Sequence, residues 1–414
     1  MIKIYKIIKK FFILVIILML ILVFHDSYTY FNIDNLAFVN AIGIDLADNN
    51  NYKISFQFTK PTTSTNASSS SENIPIINTV ETYSISTAIN LMNSYLGKEL
   101  NLSHCKLIVF SEKVAVRGIA DDIYTLVNNI QIRPSSNIVI TKTDAKYYLE
   151  NSKPSLENLF TTYYEIFPNS SEYTGYLSNI TVGSFFDLLV SKTANPCAIL
   201  GGSISTNEND LDIYAPSSPE NSGNIKSNET SISGKRGSEN IGLAVFKVDK
   251  LIGELTAIET VCYSILSDSV NGFLITIPNP ENSEKYLDVY LINDNKPKIK
   301  VNIINGTPYI TIDCCFTGKI YSISQDSNYM DSNVLNNISE AVNSYMKTQL
   351  SSYLYKTSKE FESDINGLGK FALSSFTTTT EFDNYDWLSN YKNAFFNINV
   401  DSNMSSGFLL SDVH

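Results

Sequence analysis

The sequence predicts an α+β protein: an N-terminal membrane helix followed by a multi-domain, mixed α/β ectodomain. Three observations predict it. Phe11–Phe24 is unbroken and apolar behind four lysines. Beyond it, runs of strand periodicity and segregated helical stripes argue against a parallel doubly wound sheet. A polar stretch over 206–240 then separates a mixed first half from a strand-dominated second half, dividing the chain into 1–30, 31–205, 206–240 and 241–405.

Bulk properties bound the problem. A chain of 414 residues exceeds what one core usually serves. With 43% hydrophobic and 12% aromatic residues, it has the apolar surface for real cores and is not a disordered polymer. Basic residues number 30 against 42 acidic, a net charge of −12; without Lys3, Lys6, Lys9 and Lys10 the balance is 26 against 42, or −16. Such a surface repels phosphate backbones, so no nucleic-acid partner is expected. The five cysteines are odd in number and show no CxxC or Cys/His spacing, so neither a disulfide framework nor a metal site is expected. No cofactor motif is present either.

The anchor is read from Phe11, Leu20 and Phe24, which bound and fill the apolar run. Fourteen helical residues span about 21 Å, short of a hydrocarbon core of roughly 30 Å, a length that also suits a secretory signal. Tyr5, Ile7 and Ile8 extend the apolar face, and the lysines can snorkel. No small-x-small cleavage site follows: the chain reads His25-Asp26-Ser27-Tyr28. Lysines before the run and acid after it predict Ile33 onward outside the cytoplasm.

Strands are predicted over Leu36–Ile44 and Tyr52–Phe58, joined by the polar turn Asp48–Asn51, and Pro61–Asn73 reads as a solvated loop. A helix over Ser84–Leu96 stops at Gly97. A strand at Leu107–Phe110 precedes one long helix, Val114–Ile130, with Ile119, Ile123, Leu126, Val127 and Ile130 on its stripe. Asn137–Thr141 is a strand, and helices follow from Ala145, over Leu156–Ile166 and over Val182–Val190. After 240, strands are predicted over Gly242–Lys247, Leu251–Leu255, Gly272–Ile277, Tyr286–Ile292, Lys298–Ile304 and Tyr309–Phe316. A long amphipathic helix, Val334–Leu354, and a last strand, Ala394–Val400, complete the chain.

Catalytic machinery is sparse. Histidine occurs only at 25, 104 and 414, so a nucleophile–base pair would need His104, and its neighbour Cys105 diverges from it on a strand. GxSxG, HExxH, P-loop and GxGxxG motifs are absent. Asp249, Glu254 and Glu259 could form a carboxylate pair, but a hairpin tip at Asp249-Lys250 and a helix N-terminus at Glu259 account for two of them structurally.

Two stretches carry a family resemblance. Ile33–Val39, continuing through Ala41-Ile42-Gly43-Ile44-Asp45, and Gly242–Leu255 with Glu259-Thr260 resemble the Ger(x)C family, the C subunits of spore nutrient-germinant receptors. The signature positions are Leu36, Gly43, Asp45, Gly242, Phe246, Lys247, Asp249, Gly253 and Glu259. Leu102-Ser103-His104, Asp364–Gly369, Trp387–Val400 and Gly407 also fit. The resemblance implies a three-domain α+β ectodomain without catalysis, on the outer face of the spore inner membrane. It implies two polytopic membrane partners, one of them permease-like. Family members carry a lipobox cysteine that aligns near Ser27; this chain has serine there, so attachment is expected through the Phe11–Phe24 helix. Two rival functions are an extracytoplasmic solute-binding protein, which needs a concave, mostly apolar pocket, and a cell-envelope hydrolase, which needs paired carboxylates or His104 beside a hydroxyl.

Overall fold

The computed structural model describes residues 2–25, 33–58, 75–153, 156–157, 159–203, 223–230, 232, 237–321, 329 and 331–405. Ser27, Gly407 and the loop expected over Pro61–Asn73 lie outside these residues.

Helix α1 (Ile2–His25) is longer than its apolar run and would measure about 36 Å. Its side chains are described from Ile4 to Met19, and all of them are exposed. Among the described residues, no helix is long and apolar enough to cross a membrane; the side chains of Leu20 and Phe24 fall outside that set.

The first half contains β1 (Leu36–Leu46), β2 (Tyr52–Phe58), β3 (Ile76–Thr82), α2 (Ile85–Leu96), β4 (Glu99–Asn101), β5 (Leu107–Ser111), α3 (Glu112–Arg117) and α4 (Ala120–Asn128). It continues with β6 (Asn137–Thr141), α5 (Ala145–Asn151), α6 (Phe160–Ile166), α7 (Ser171–Thr174), α8 (Val182–Leu189) and β7 (Cys197–Ser203). Beyond the polar stretch come β8 (Ser238–Lys247), β9 (Lys250–Leu255) and α9 (Ala257–Leu266). The chain then forms β10 (Gly272–Asn279), β11 (Asn282–Asn293), β12 (Lys298–Ile304), β13 (Thr307–Ile320) and α10 (Ser332–Tyr355). Last are α11 (Gly369–Ala372), α12 (Thr379–Tyr385), α13 (Trp387–Asn390) and β14 (Phe395–Ser405).

Two sheets organise these elements. The larger has nine strands in the order β3-β2-β1-β5-β6-β7-β8-β9, with β4 beside the start of β1. The smaller has five, in the order β10-β11-β13-β12, with β14 on the other side of β13. Strands from both sides of 206–240 thus share one sheet, since β8 pairs antiparallel with β7. Part of that polar stretch is itself packed: Ser227 is buried and its hydroxyl donates to the Leu200 carbonyl at 2.9 Å.

Local chemistry explains most boundaries. Asn49 and Asn50 adopt positive φ in the β1–β2 turn, which asparagine tolerates. The Ser84 hydroxyl caps α2, and Gly97, at φ 60°, ends it. Thr256 and Glu259 form a reciprocal capping box that starts α9.

Three expectations need correcting. The single helix over Val114–Ile130 is two, α3 and α4, broken where Gly118 takes φ 117°. Both pieces bury apolar residues in one core, so the helical stripe survives the break; Ile130 lies past it and is fully exposed. The first half is not segregated α+β: β1, β5, β6 and β7 run parallel, with helices in the crossovers. Those crossover helices are short, and the fully buried strands read as apolar runs without alternation. The β8–β9 hairpin pairs Lys247 with Lys250, so its tip is Val248-Asp249 and not Asp249-Lys250.

Candidate functional site: the junction between the two sheets

The second sequence signature lies where the large sheet meets the segment that follows α10. Each of its residues has a distinct task there. Gly242, at φ 93°, faces the Leu255 carbonyl where a β-carbon would collide. Phe246 is buried edge-on to Phe185, 5.0 Å between ring centroids, and its carbonyl accepts from the Ser363 hydroxyl at 2.6 Å. Lys247 pairs with Glu362 at 2.8 Å on the surface. A β-carbon on Gly253 would overlap the Phe361 ring. The Asp249 carbonyl accepts from Ile119 N–H at 3.1 Å, which ties the hairpin tip to the α3–α4 break. Val248, β-branched yet at φ 59°, is held by its N–H donating to Asn195 Oδ1 at 2.9 Å.

A ladder of charge runs beside this hairpin. Lys356, in the π turn that continues α10, donates to both Glu259 carboxylate oxygens at 2.8 Å and to the Glu254 carbonyl at 3.2 Å. The Glu254 carboxylate accepts from Lys142 at 2.9 Å and Lys226 at 2.6 Å. Burial opposes ionisation of Glu254, but the two ammonium partners outweigh it and hold the carboxyl below its ordinary range. Each carboxylate here is neutralised by lysine, so the arrangement suits cohesion and not acid–base work.

Beneath the ladder lies Asp364, which is fully buried. Its Oδ2 accepts from Gly369 N–H at 2.9 Å and from the indole Nε1 of Trp387 at 2.8 Å. Burial pushes this carboxyl up to about 6, against opposing hydrogen bonds from neighbouring N–H groups and the indole. The Asp364 carbonyl accepts from Asn195 N–H at 2.7 Å, so Asn195 bridges the hairpin tip and the Asp364 loop. Asn366 spans Tyr263, Ser267 and Tyr353. Gly369 has Thr193 O and Trp387 Cδ1 2.6 Å from where a β-carbon would sit.

The first signature has a separate place. Leu36 opens β1 opposite Glu99. Gly43 leaves room for Leu149 and Ala145 of α5. Asp45 caps that helix from the strand, accepting from Ala145 N–H at 2.6 Å and Lys146 N–H at 3.0 Å, while burial raises its pKa. The structure therefore gathers Gly242, Phe246, Lys247, Asp249, Gly253 and Glu259 at one junction and leaves Leu36, Gly43 and Asp45 elsewhere. Sequence reasoning had no role for Lys142, Lys226, Asn195 or Lys356. The lone tryptophan, beside Asp383 and Asp386, and the glycine-bearing run Asp364–Gly369 were the available signals for the Asp364 pair.

Elsewhere the catalytic candidates stand apart. His104 is exposed and packs edge-on to Phe38, with ring centroids 5.3 Å apart. Burial pushes the thiols of Cys105, Cys197 and Cys314 up to about 12, which suits inert core packing. Among the described residues, no group of three or more His, Cys, Asp and Glu could hold a metal. A surface depression of about 520 Å³ is lined by Ser86, Tyr124, Thr125, Asn128 and Asn129, a mostly polar set.

Comparison with known proteins fits this architecture. The chain matches the family described as spore germination protein N-terminal domain over residues 30–200. It matches the family described as spore germination B3/GerAC like, C-terminal, over residues 241–407. A solved structure, "Crystal Structure of the GerBC protein", shares the fold at 14% identity and a TM-score of 0.52, covering 88% of this chain and 96% of that one. No curated protein sequence matches. The chain belongs to the Ger(x)C family of spore germination proteins, the germinant-receptor C subunits.

Proposed function

We propose that this protein is the membrane-anchored C subunit of a spore nutrient-germinant receptor, a scaffold that couples its partners through protein surface and not through catalysis. The observation that carries the reading is the family match over both halves of the chain. Support for the anchor comes from α1: an apolar helix that packs against nothing described in the body belongs in a core or in a bilayer, and its side chains from Ile4 to Met19 are exposed. The body then sits on the outer face of the spore inner membrane, beside two polytopic subunits, one of them permease-like. Support for a non-catalytic role comes from the isolation of His104 and from carboxylates committed to lysines, a cap and an indole.

Deleting the gene tests the role: nutrient-triggered germination falls sharply while non-nutrient triggers still act. A normal nutrient response in a strain without paralogues contradicts the proposal. Complementation with His104→Ala restores the response in full; failure of that variant, present at normal level, overturns the non-catalytic reading.

A further inference from the structure

We propose that the end of the nine-stranded sheet at which β1 begins rests directly on the lipid bilayer, with Ile130 entering the interfacial layer. The inference deepens the anchor reading and rests on it. Helix α1 ends at His25 and the described body resumes at Ile33. Eight Cα steps at about 3.3–3.6 Å reach less than about 29 Å, so the first residues of the body cannot lie farther than that from the end of the anchor.

The topology identifies what else occupies this end. Leu36 pairs with Glu99 at the start of β4, immediately after α2 ends at Leu96. Ile76 opens β3 opposite Phe58, which itself pairs with Val39. The turn after α4 lies alongside, since Leu102 N–H donates to Gln131 Oε1 at 2.9 Å. Four exposed apolar side chains therefore share one end of the sheet: Ile33, Ile76, Tyr95 and Ile130, at 70%, 42%, 77% and 100% exposure. Ile130 stands on a turn fixed by Ile132 N–H to Asn129 O at 3.0 Å and Gln131 N–H to Asn129 Oδ1 at 3.0 Å. A fully hydrated isoleucine on an ordered turn is unfavourable in water and favourable at an acyl boundary; tyrosine is enriched at the same depth.

Charge is compatible with the same end. Lys98, Lys106 and Arg133 balance Asp34, Glu99 and Glu165 there, whereas the chain beyond its lysine-rich start carries 26 basic against 42 acidic residues. An anionic bilayer repels the acidic surface as a whole, and these balanced charges, Lys106 paired with Glu165 at 3.2 Å among them, add no net repulsion where β1 begins.

The test uses the full chain with Cys315→Ser, because Cys315 is exposed and the other four thiols are buried. Ile130→Cys carries an environment-sensitive fluorophore in one sample. Lys300→Cys, on the outer face of the small sheet, carries it in a control. Both are reconstituted into vesicles of equal parts phosphatidylcholine and phosphatidylglycerol containing a lipid-attached quencher. The label at 130 is expected to shift to the blue and to be quenched several-fold more than the label at 300. Equal quenching at both positions, with the protein resistant to alkaline extraction, overturns the docking and leaves the anchor standing. Release of the protein by alkaline extraction removes the anchor, and the inference falls with it.

Discussion

The two sheets bury their strands in different ways. In the large sheet, β5 and β6 are buried at every residue, because helices cover both faces of its parallel centre. In the small sheet, β13 alternates buried and open positions along 14 residues, with α10 on one face only. The centre of the large sheet is consequently sealed, while the small one leaves a mostly polar face, with Lys300, Thr311, Asp313, Asn397 and Asn399 beside the stacked pair Tyr309–Phe395, to solvent or to partners. Substitutions should be expensive in the first and at the junction, and cheap on the open face of the second.

The largest effect is expected at the junction. Trp387→Ala empties a buried site and removes a partner of Asp364; a loss of about 3–5 kcal/mol is expected in urea unfolding followed by circular dichroism. A loss below about 1 kcal/mol would mean that the Asp364–Trp387 pair does not hold the sheets together. Acid dependence comes next. Asp364 moves from 3.8 up to about 6 on folding, so the folded protein binds the proton more tightly than the unfolded chain. Its contribution is fully present below the unfolded value and is lost as pH rises through about 6. Asp122, also pushed up to about 6 by burial beside Tyr52, adds the same sign from the first half of the chain. Asp364→Asn should flatten the decline in stability across this window by one group and leave the Asp122 share in place.

Gly369→Ala drives a β-carbon into the Thr193 carbonyl, which cannot rotate away, and should cost about 1–3 kcal/mol. Val248→Gly should raise stability by about 1 kcal/mol, since glycine adopts the left-handed conformation freely. Lys300→Ala, on the open face, should move stability by no more than about 0.5 kcal/mol, and a larger change would break the contrast between the sheets.

Much of the fold was legible because burial imprints a period. The α10 stripe through Ile338, Val342 and Leu354 is buried in the core, and the alternation of β13 follows its open face. The break at Gly118 was hidden because two short helices can share one stripe. The parallel order of β1, β5, β6 and β7 was hidden because pairing partners are set by tertiary geometry, which a run such as Leu-Ile-Val-Phe does not encode. At the junction, Gly253 and Glu259 stood out within a continuous signature. Lys142, Asn195 and Lys356 did not, because they arrive from distant segments and only contact reveals them.

The most direct measurement is complementation of spores lacking this chain, comparing the full protein with a form in which residues 11–24 are deleted, and scoring nutrient response together with membrane fractionation. The full protein should be recovered with the membranes and restore germination, while the shortened form leaves the membranes and fails. Full restoration by a shortened form found free of membranes would contradict a role built on an anchored body.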